Sequence, residues 1–259
     1  MKAFNGLFFK ELKLTKNWFM VGMALLILAV MAGIGLMRYF NEPNVFAVIS
    51  IMILSAHAFY LPLYLLSSLN IEGQSQGWLH NPNSGTKLFL AKIAAGLLFF
   101  LVSLFIALCV AKWGIDHAEG LSWIEGEHFP TISLMGAGLT LGSIFMGIWV
   151  LFYWSLFHSL KNVPIVSSFR WPILVGVWLL LSVIWNYIQH QPFYQKLKKI
   201  GVIQLDSIQS IKYEVSKNSA SAAFIEGSGL TIMNGIIYTA IVILVFYIAV
   251  WLLERKVEV

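Results

Sequence analysis

The chain has 259 residues, of which 59% are hydrophobic and 11% charged, with a net charge of +5 and a mean hydropathy of +0.79. A soluble domain is about a quarter charged, so this composition excludes an ordinary cytosolic enzyme, a disordered chain and a secreted disulfide scaffold. An integral membrane protein remains, and at about 20 residues per helical crossing six crossings take roughly half the chain.

In chain order, residues 1–17 come first. Phe4, Leu7, Phe8 and Leu12 recur at helical spacing, with Lys10 and Lys13 off that stripe. Such a segment can lie along a leaflet as an elbow helix, apolar face down and lysines among anionic headgroups. The plainer alternative is a positive anchor for the helix that follows. No small-x-small cleavage site follows the first apolar run, so it reads as a retained helix rather than a signal peptide.

Six apolar runs follow, over 18–37, 45–69, 93–111, 132–160, 171–188 and 230–253. Runs of this length read as spanning helices, because lipid offers the backbone no hydrogen-bond partners. The expected fold is therefore an all-α integral membrane protein, a single domain over 1–259. With both termini inside, the inner segments hold Lys2, Lys10, Lys13, Lys16, Lys87, Lys92, Lys161, Arg170, Arg255 and Lys256. The two short outer loops hold only Arg38 and Lys112. That asymmetry predicts cytoplasmic termini, and it explains the basic charge without nucleic acid. Lys87 and Lys92 are expected near the headgroups, and Trp18, Trp113, Trp171 and Trp251 in an interfacial belt.

Within the spans, Cys109 reads as a small buried hydrophobe. His57 precedes Pro62 and either faces a cavity or bonds a carbonyl that the proline frees. His158 lies near the inner end of the fourth span. Gly138, Gly142, Ser143 and Gly147 form small-x-x-x-small pairs, expected to permit close packing within the chain, with a dimer seam as the alternative.

Several chemistries have no residues to carry them. No Asp or Glu falls inside the six runs, which disfavours an ion-coupled carrier. There is no His-Glu-x-x-His pair for a metalloprotease and no Gly-rich phosphate loop, so neither a metal site nor ATP hydrolysis is expected of this chain. Gly120-Leu121-Ser122-Trp123 is only a faint echo of a serine-protease motif, and no catalytic residue is assigned.

The inner loop 70–92 is too long for a tight turn. Pro82 should end any helix formed before it, and Trp78 and Leu79 make an apolar tip. This is either a knob that docks into a partner or a hairpin with Trp78 in the interface. Here the chain resembles the permease subunits of the ABC-2 class of ABC transporters. Their second loop commonly reads Gly-Thr, an acidic residue two later, leucines, Pro-x-Ser, then leucines and a lysine opening the third helix. Gly73-Gln74, Gln76, Trp78-Leu79, Pro82-Asn83-Ser84, Leu88, Leu90 and Lys92 follow that register, with Gln74 and Gln76 as departures and Glu72 beside them. The six-helix layout extends the resemblance over the whole chain.

The resemblance implies an elbow helix at the N-terminus and a coupling helix between helices two and three. Glu72, Gly73, Gln76, Trp78, Leu79, Pro82 and Ser84 would meet the ATPase. It implies two ATPase subunits carrying ATP and Mg, a second identical or homologous permease, and no cofactor on this chain. Amphipathic peptide or other lipophilic cargo would leave a bacterial cell through its plasma membrane. A drug or lipid exporter of the same class, a membrane-embedded enzyme and a membrane sensor are the alternatives.

The outer loop 189–229 is long. Phe193, Leu197 and Ile200 share a helical face, and in the resembled family short helices here close the outer gate. Ile208, Ile211 and Val215 would form a second amphipathic turn, and Ser216–Ala223 a mobile polar stretch. A basic, solvated loop is the alternative.

Overall fold

The computed structural model describes residues 2–75, 83–118, 128–162, 167–198, 200–203, 209–216, 219–226 and 230–257. Its helices are α1 (Lys2–Phe40), α2 (Pro43–Ala56), α3 (Tyr60–Ser75), α4 (Gly85–Asp116), α5 (His128–Ser159), α6 (Arg170–His190), α7 (Pro192–Lys198) and α8 (Ile232–Leu252). Among the described residues, six stretches are long and apolar enough to cross a membrane: Ala3–Phe40, Pro43–Gly73, Gly85–Asp116, Ser133–Ser159, Arg170–His190 and Ile232–Arg255. They overlap the six apolar runs, and the spans are those of an all-α multi-pass membrane protein, the described strands being two short pairs within 202–231. The chain divides into two compact units, 1–170 with 245–259, and 171–244.

In the first unit α1 runs unbroken for 39 residues. At about 1.5 Å per residue that is roughly 58 Å, against a hydrocarbon thickness of about 30 Å. Residues 2–17 are thus helical and two-faced as expected, but they continue the first span instead of forming a separate elbow. Their apolar stripe also faces protein rather than lipid. Leu7 is buried, and Phe4, Phe8, Leu12 and Trp18 pack on the same core as Tyr64, Leu65 and Leu69. Trp18 meets Tyr60 and Tyr64 edge-on at 5.1 and 5.6 Å, so its ring packs on protein. After Phe40 the chain reverses at Asn41, whose φ of 54° is left-handed, a conformation asparagine tolerates at helix ends. Pro43 then opens α2, at the position where its missing N–H is harmless.

The second span is two helices. Pro62 has no N–H, and its ring conflicts with the carbonyl four residues back. The chain tightens into a 3₁₀ turn over His57–Phe59. On either side of that break α4 comes very close. A Cβ on Gly96 would stand 2.5 Å from Tyr64 Cδ1 and 2.7 Å from Leu61 Cδ1, both on α3. A Cβ on Gly114 would stand 2.7 Å from Ser50 Oγ on α2. By contrast, nothing lies within 4 Å of a Cβ on Gly138 or Gly142. Of the small residues on α5, it is Gly147 and the fully buried Ser143 that meet α3. Cys109 is exposed on α4 rather than buried.

The C-terminus closes this unit. Past α8 the chain makes a π-helical turn, Leu253–Val257. Glu254 Oε1 accepts the Gly85 amide at 2.7 Å. Ser84 occupies the N-cap of α4 but makes no side-chain capping bond. A carboxylate from the far end of the chain supplies the acceptor and the negative charge that a helix N-terminus favours.

In the second unit, no residue of α6 is buried, as suits a lipid-exposed helix. Gly201 takes a φ of +73°, and its carbonyl accepts the Ile232 amide at 3.0 Å. Strands β1 (Val202–Ile203) and β4 (Leu230–Thr231) pair antiparallel and close the base of the loop. Within it β2 (Gln209–Ser216) and β3 (Ser219–Glu226) form an antiparallel pair, in register from Gln209 with Glu226 to Ser216 with Ser219. This corrects the second amphipathic turn at Ile211 and Val215, and Ser216 and Ser219–Ala223 of the stretch expected to be mobile stand in strands; Ile208, Lys217 and Asn218 lie outside the described residues. Ile211, Tyr213 and Val215 alternate with Lys212, Glu214 and Ser216, a strand period of two.

Candidate functional site

The first half of α1, the end of α3 and the start of α4 meet around charge. Lys92 is 1% exposed, Glu11 2% and Glu72 4%. The Lys92 ammonium donates to both oxygens of Glu11 at 3.0 Å and to Ser68 Oγ at 2.8 Å. It also pairs with Glu72 Oε2 at 2.9 Å. Ser68 in turn donates to Glu11 Oε2 at 2.9 Å. Lys10 reaches in from the surface and binds Glu72 Oε1 at 2.6 Å. Two carboxylates and two ammoniums leave the group formally neutral.

A hydroxyl pair extends this polar column. Thr15 Oγ1 donates to the Glu11 carbonyl at 2.7 Å. The Tyr64 hydroxyl lies 2.9 Å from the same Thr15 oxygen and therefore donates to it. Asn70, near the end of α3, accepts the Trp154 indole N–H at 3.1 Å, which ties α5 to the same end.

Such a cluster is not chemically poised for catalysis. Both carboxylates are held by ammoniums, and neither is presented to an open cleft. Burying ions costs several kcal/mol each, and the pairing roughly repays it. What the cluster supplies is position: it ties α1, α3 and α4 together at this end.

The sequence expectations fare unevenly at this site. Glu72 and Gly73 lie in the last turns of α3, and Ser84 stands at the start of α4. Gln76, Trp78, Leu79 and Pro82 lie outside the described residues. Lys10 pairs with Glu72 while its side chain stays half-exposed, and Lys13 is exposed. Lys92, expected among headgroups, is in the core. The expectation of no acidic residue within the spans is corrected as well. The helices run further than the apolar runs, and they carry Glu11 and Glu72 inside. A signal was present: Leu7, Glu11 and Thr15 stand four residues apart, so Glu11 sits on the apolar stripe of α1.

His57 is buried at the break in the second span. Its amide turns to the Leu54 carbonyl, three residues back. The Ile53 carbonyl instead takes the ring's Nδ1–H at 2.8 Å. That bond leaves Nε2 of the neutral ring to accept from Ser103 Oγ, 3.0 Å away. Ser143 Oγ of α5 accepts the Leu61 amide at 3.3 Å. His57 thus bonds a carbonyl released where the helix tightens, but it is that of Ile53 and not the one four residues before Pro62, so the expected bond to a proline-freed carbonyl is not the one made. His158 stacks on Trp154 at 3.9 Å and bonds its carbonyl at 2.9 Å. At the outer loop, α7 forms, but Phe193 and Ile200 are exposed. Tyr194 is the buried residue of α7, packed on Trp185 and donating to Asn234 Oδ1 at 3.2 Å.

The chain is similar to the uncharacterized protein YhcE of Bacillus subtilis (strain 168), with 28% identity over 268 aligned positions covering the full length of both proteins. No family model and no solved structure matches it.

Proposed function

We propose that this chain is the membrane-spanning permease subunit of an ATP-driven exporter of the ABC-2 class, set in a bacterial plasma membrane with both termini cytoplasmic. Two such subunits, identical or homologous, enclose the path, and two ATPase subunits that carry ATP and Mg dock beneath. The observation that carries this reading is the buried ion cluster. Glu72 and Lys92 stand on the two helices that flank residues 76–82, and both are tied to Glu11 or Lys10 of α1. A push on that segment is therefore carried into three spans at once, as coupling to an ATPase requires. A chain rich in Phe, Trp and Met suits amphipathic or lipophilic cargo, with an amphipathic peptide the first choice.

The test is the double change Trp78→Ala, Leu79→Ala. Truncating a central interface aromatic commonly costs about 2 kcal/mol or more, roughly thirty-fold in affinity. An ATPase with Walker motifs should co-purify with the wild-type chain from its native host, and be lost with export in the double variant, while membrane insertion is unchanged. Normal export by the double variant with its ATPase still bound would refute the coupling role.

A further inference from the structure

Helix α3 has a break at one end and the ion cluster at the other. At the break, every interhelical polar contact comes from a side chain in the protein interior: His57 with Ser103 of α4, and Leu61 N with Ser143 of α5. Backbone groups this deep must stay satisfied by protein in any state, because hydrocarbon offers them nothing. The far end differs. Lys10, which closes the cluster, keeps 45% of its side chain exposed. The Lys10–Glu72 pair at that end borders water and can open to it, and the buried ions behind it become hydrated once it does, whereas the groups at the break have no such path.

We propose that α3 is a lever: His57–Phe59 is its pivot, and the Glu72–Lys92–Glu11 cluster is a latch that releases its tip. The 16 residues of α3 make an arm of roughly 24 Å at about 1.5 Å per residue. Helix α2 does not share the motion. Phe46, Ala47 and Leu54 are buried, Phe46 packs edge-on to Trp113 at 4.8 Å, and Ser50 is wedged against Gly114. None of these contacts involves titratable or ionic groups that water could replace. Tyr64 and Leu61 face Gly96 without a bond to it, so this glycine is the surface from which the arm lifts. The proposal stands on the geometry alone. If the permease reading also holds, the tip of the lever leads directly into the segment that meets the ATPase.

The test needs no ATPase. Cys109 is first replaced by Ala, and spin labels are placed at exposed sites on either side of the pivot. One pair is Leu66 on α3 with Leu98 on α4; the other is Met52 on α2 with Phe105 on α4. Distances are measured by pulsed electron paramagnetic resonance in the purified chain in lipid nanodiscs. Glu72→Gln weakens charge-assisted bonds, and should make a longer Leu66–Leu98 distance about tenfold more populated. The Met52–Phe105 distance should not change. Adding Pro62→Ala, which restores the missing N–H, should reduce the longer population or make both pairs shift together. Equal broadening of both pairs by Glu72→Gln, no change in either, or no effect of Pro62→Ala would overturn the lever. Ser143→Ala is an independent check. It should raise amide exchange at Tyr60 and Leu61 about tenfold and leave α2 as it was; an equal rise in α2 would overturn the pivot.

Discussion

Lys92 is the residue on which the candidate site turns. Its ammonium faces Glu11, Glu72 and Ser68 at once, and no water-filled space is needed to satisfy it. Removing one partner of a buried pair costs about 3–5 kcal/mol, because the other charge stays buried and uncompensated. Lys92→Met should therefore lower the thermal midpoint of the detergent-solubilised protein sharply. Adding Glu11→Gln should recover at least half of the loss, since Glu72 keeps Lys10. A double variant as unstable as the single would mean that Lys92 acts through packing of its aliphatic stem. Glu11 shows what a sequence can disclose at this scale. A carboxylate on an apolar stripe calls for a buried partner, but the stripe does not say which. The partner lies 81 residues away, and helix periodicity carries no information about it.

At the scale of elements, the contacts between helices are set by small residues whose spacing alone is uninformative. Gly96 and Gly138 look alike in sequence. In the fold, a methyl on Gly96 would collide with Tyr64 and Leu61, while one on Gly138 would meet open space. Overpacking costs about 1–3 kcal/mol, so Gly96→Ala should depress the melting midpoint and loosen α3 from α4. Gly138→Ala should stay within about 0.5 kcal/mol of wild type. Comparable losses in the two variants would refute this assignment of faces. The break in the second span was legible in Pro62. The hairpin of β2 and β3 was legible too, in the alternation over Ile211–Ser216, but a loop flanked by helices invites a helical period instead. The identity of the α4 cap was not legible. Ser84 has the right chemistry and the right position, yet Glu254 makes the bond, because the C-terminal turn folds back onto the start of α4.

For the whole molecule, the distribution of basic residues predicts sidedness. In a Cys109→Ala background, cysteines at Asn5, Ser84 and Lys161 should resist an impermeant thiol reagent in intact cells, and cysteines at Glu125 and Ser219 should react. Labelling of position 84 from outside would overturn the orientation. By itself the sequence determined the class of the protein and the number and place of its six spans. Crossing a bilayer demands about 20 apolar residues and a self-satisfied backbone, and both conditions are local in the chain. Only the tertiary structure decided which face of each helix meets protein. In lipid both faces are apolar, so composition does not separate the buried stripe of α1 from the exposed side of α6. The tertiary structure also decided that residues 3–17 pack as part of the first span, because Leu7, Glu11 and Thr15 find their partners on α3 and α4. The ion cluster belongs to the same category: its charges are stable in the interior only once three helices bring them within about 3 Å of one another, and no one of those helices specifies that meeting.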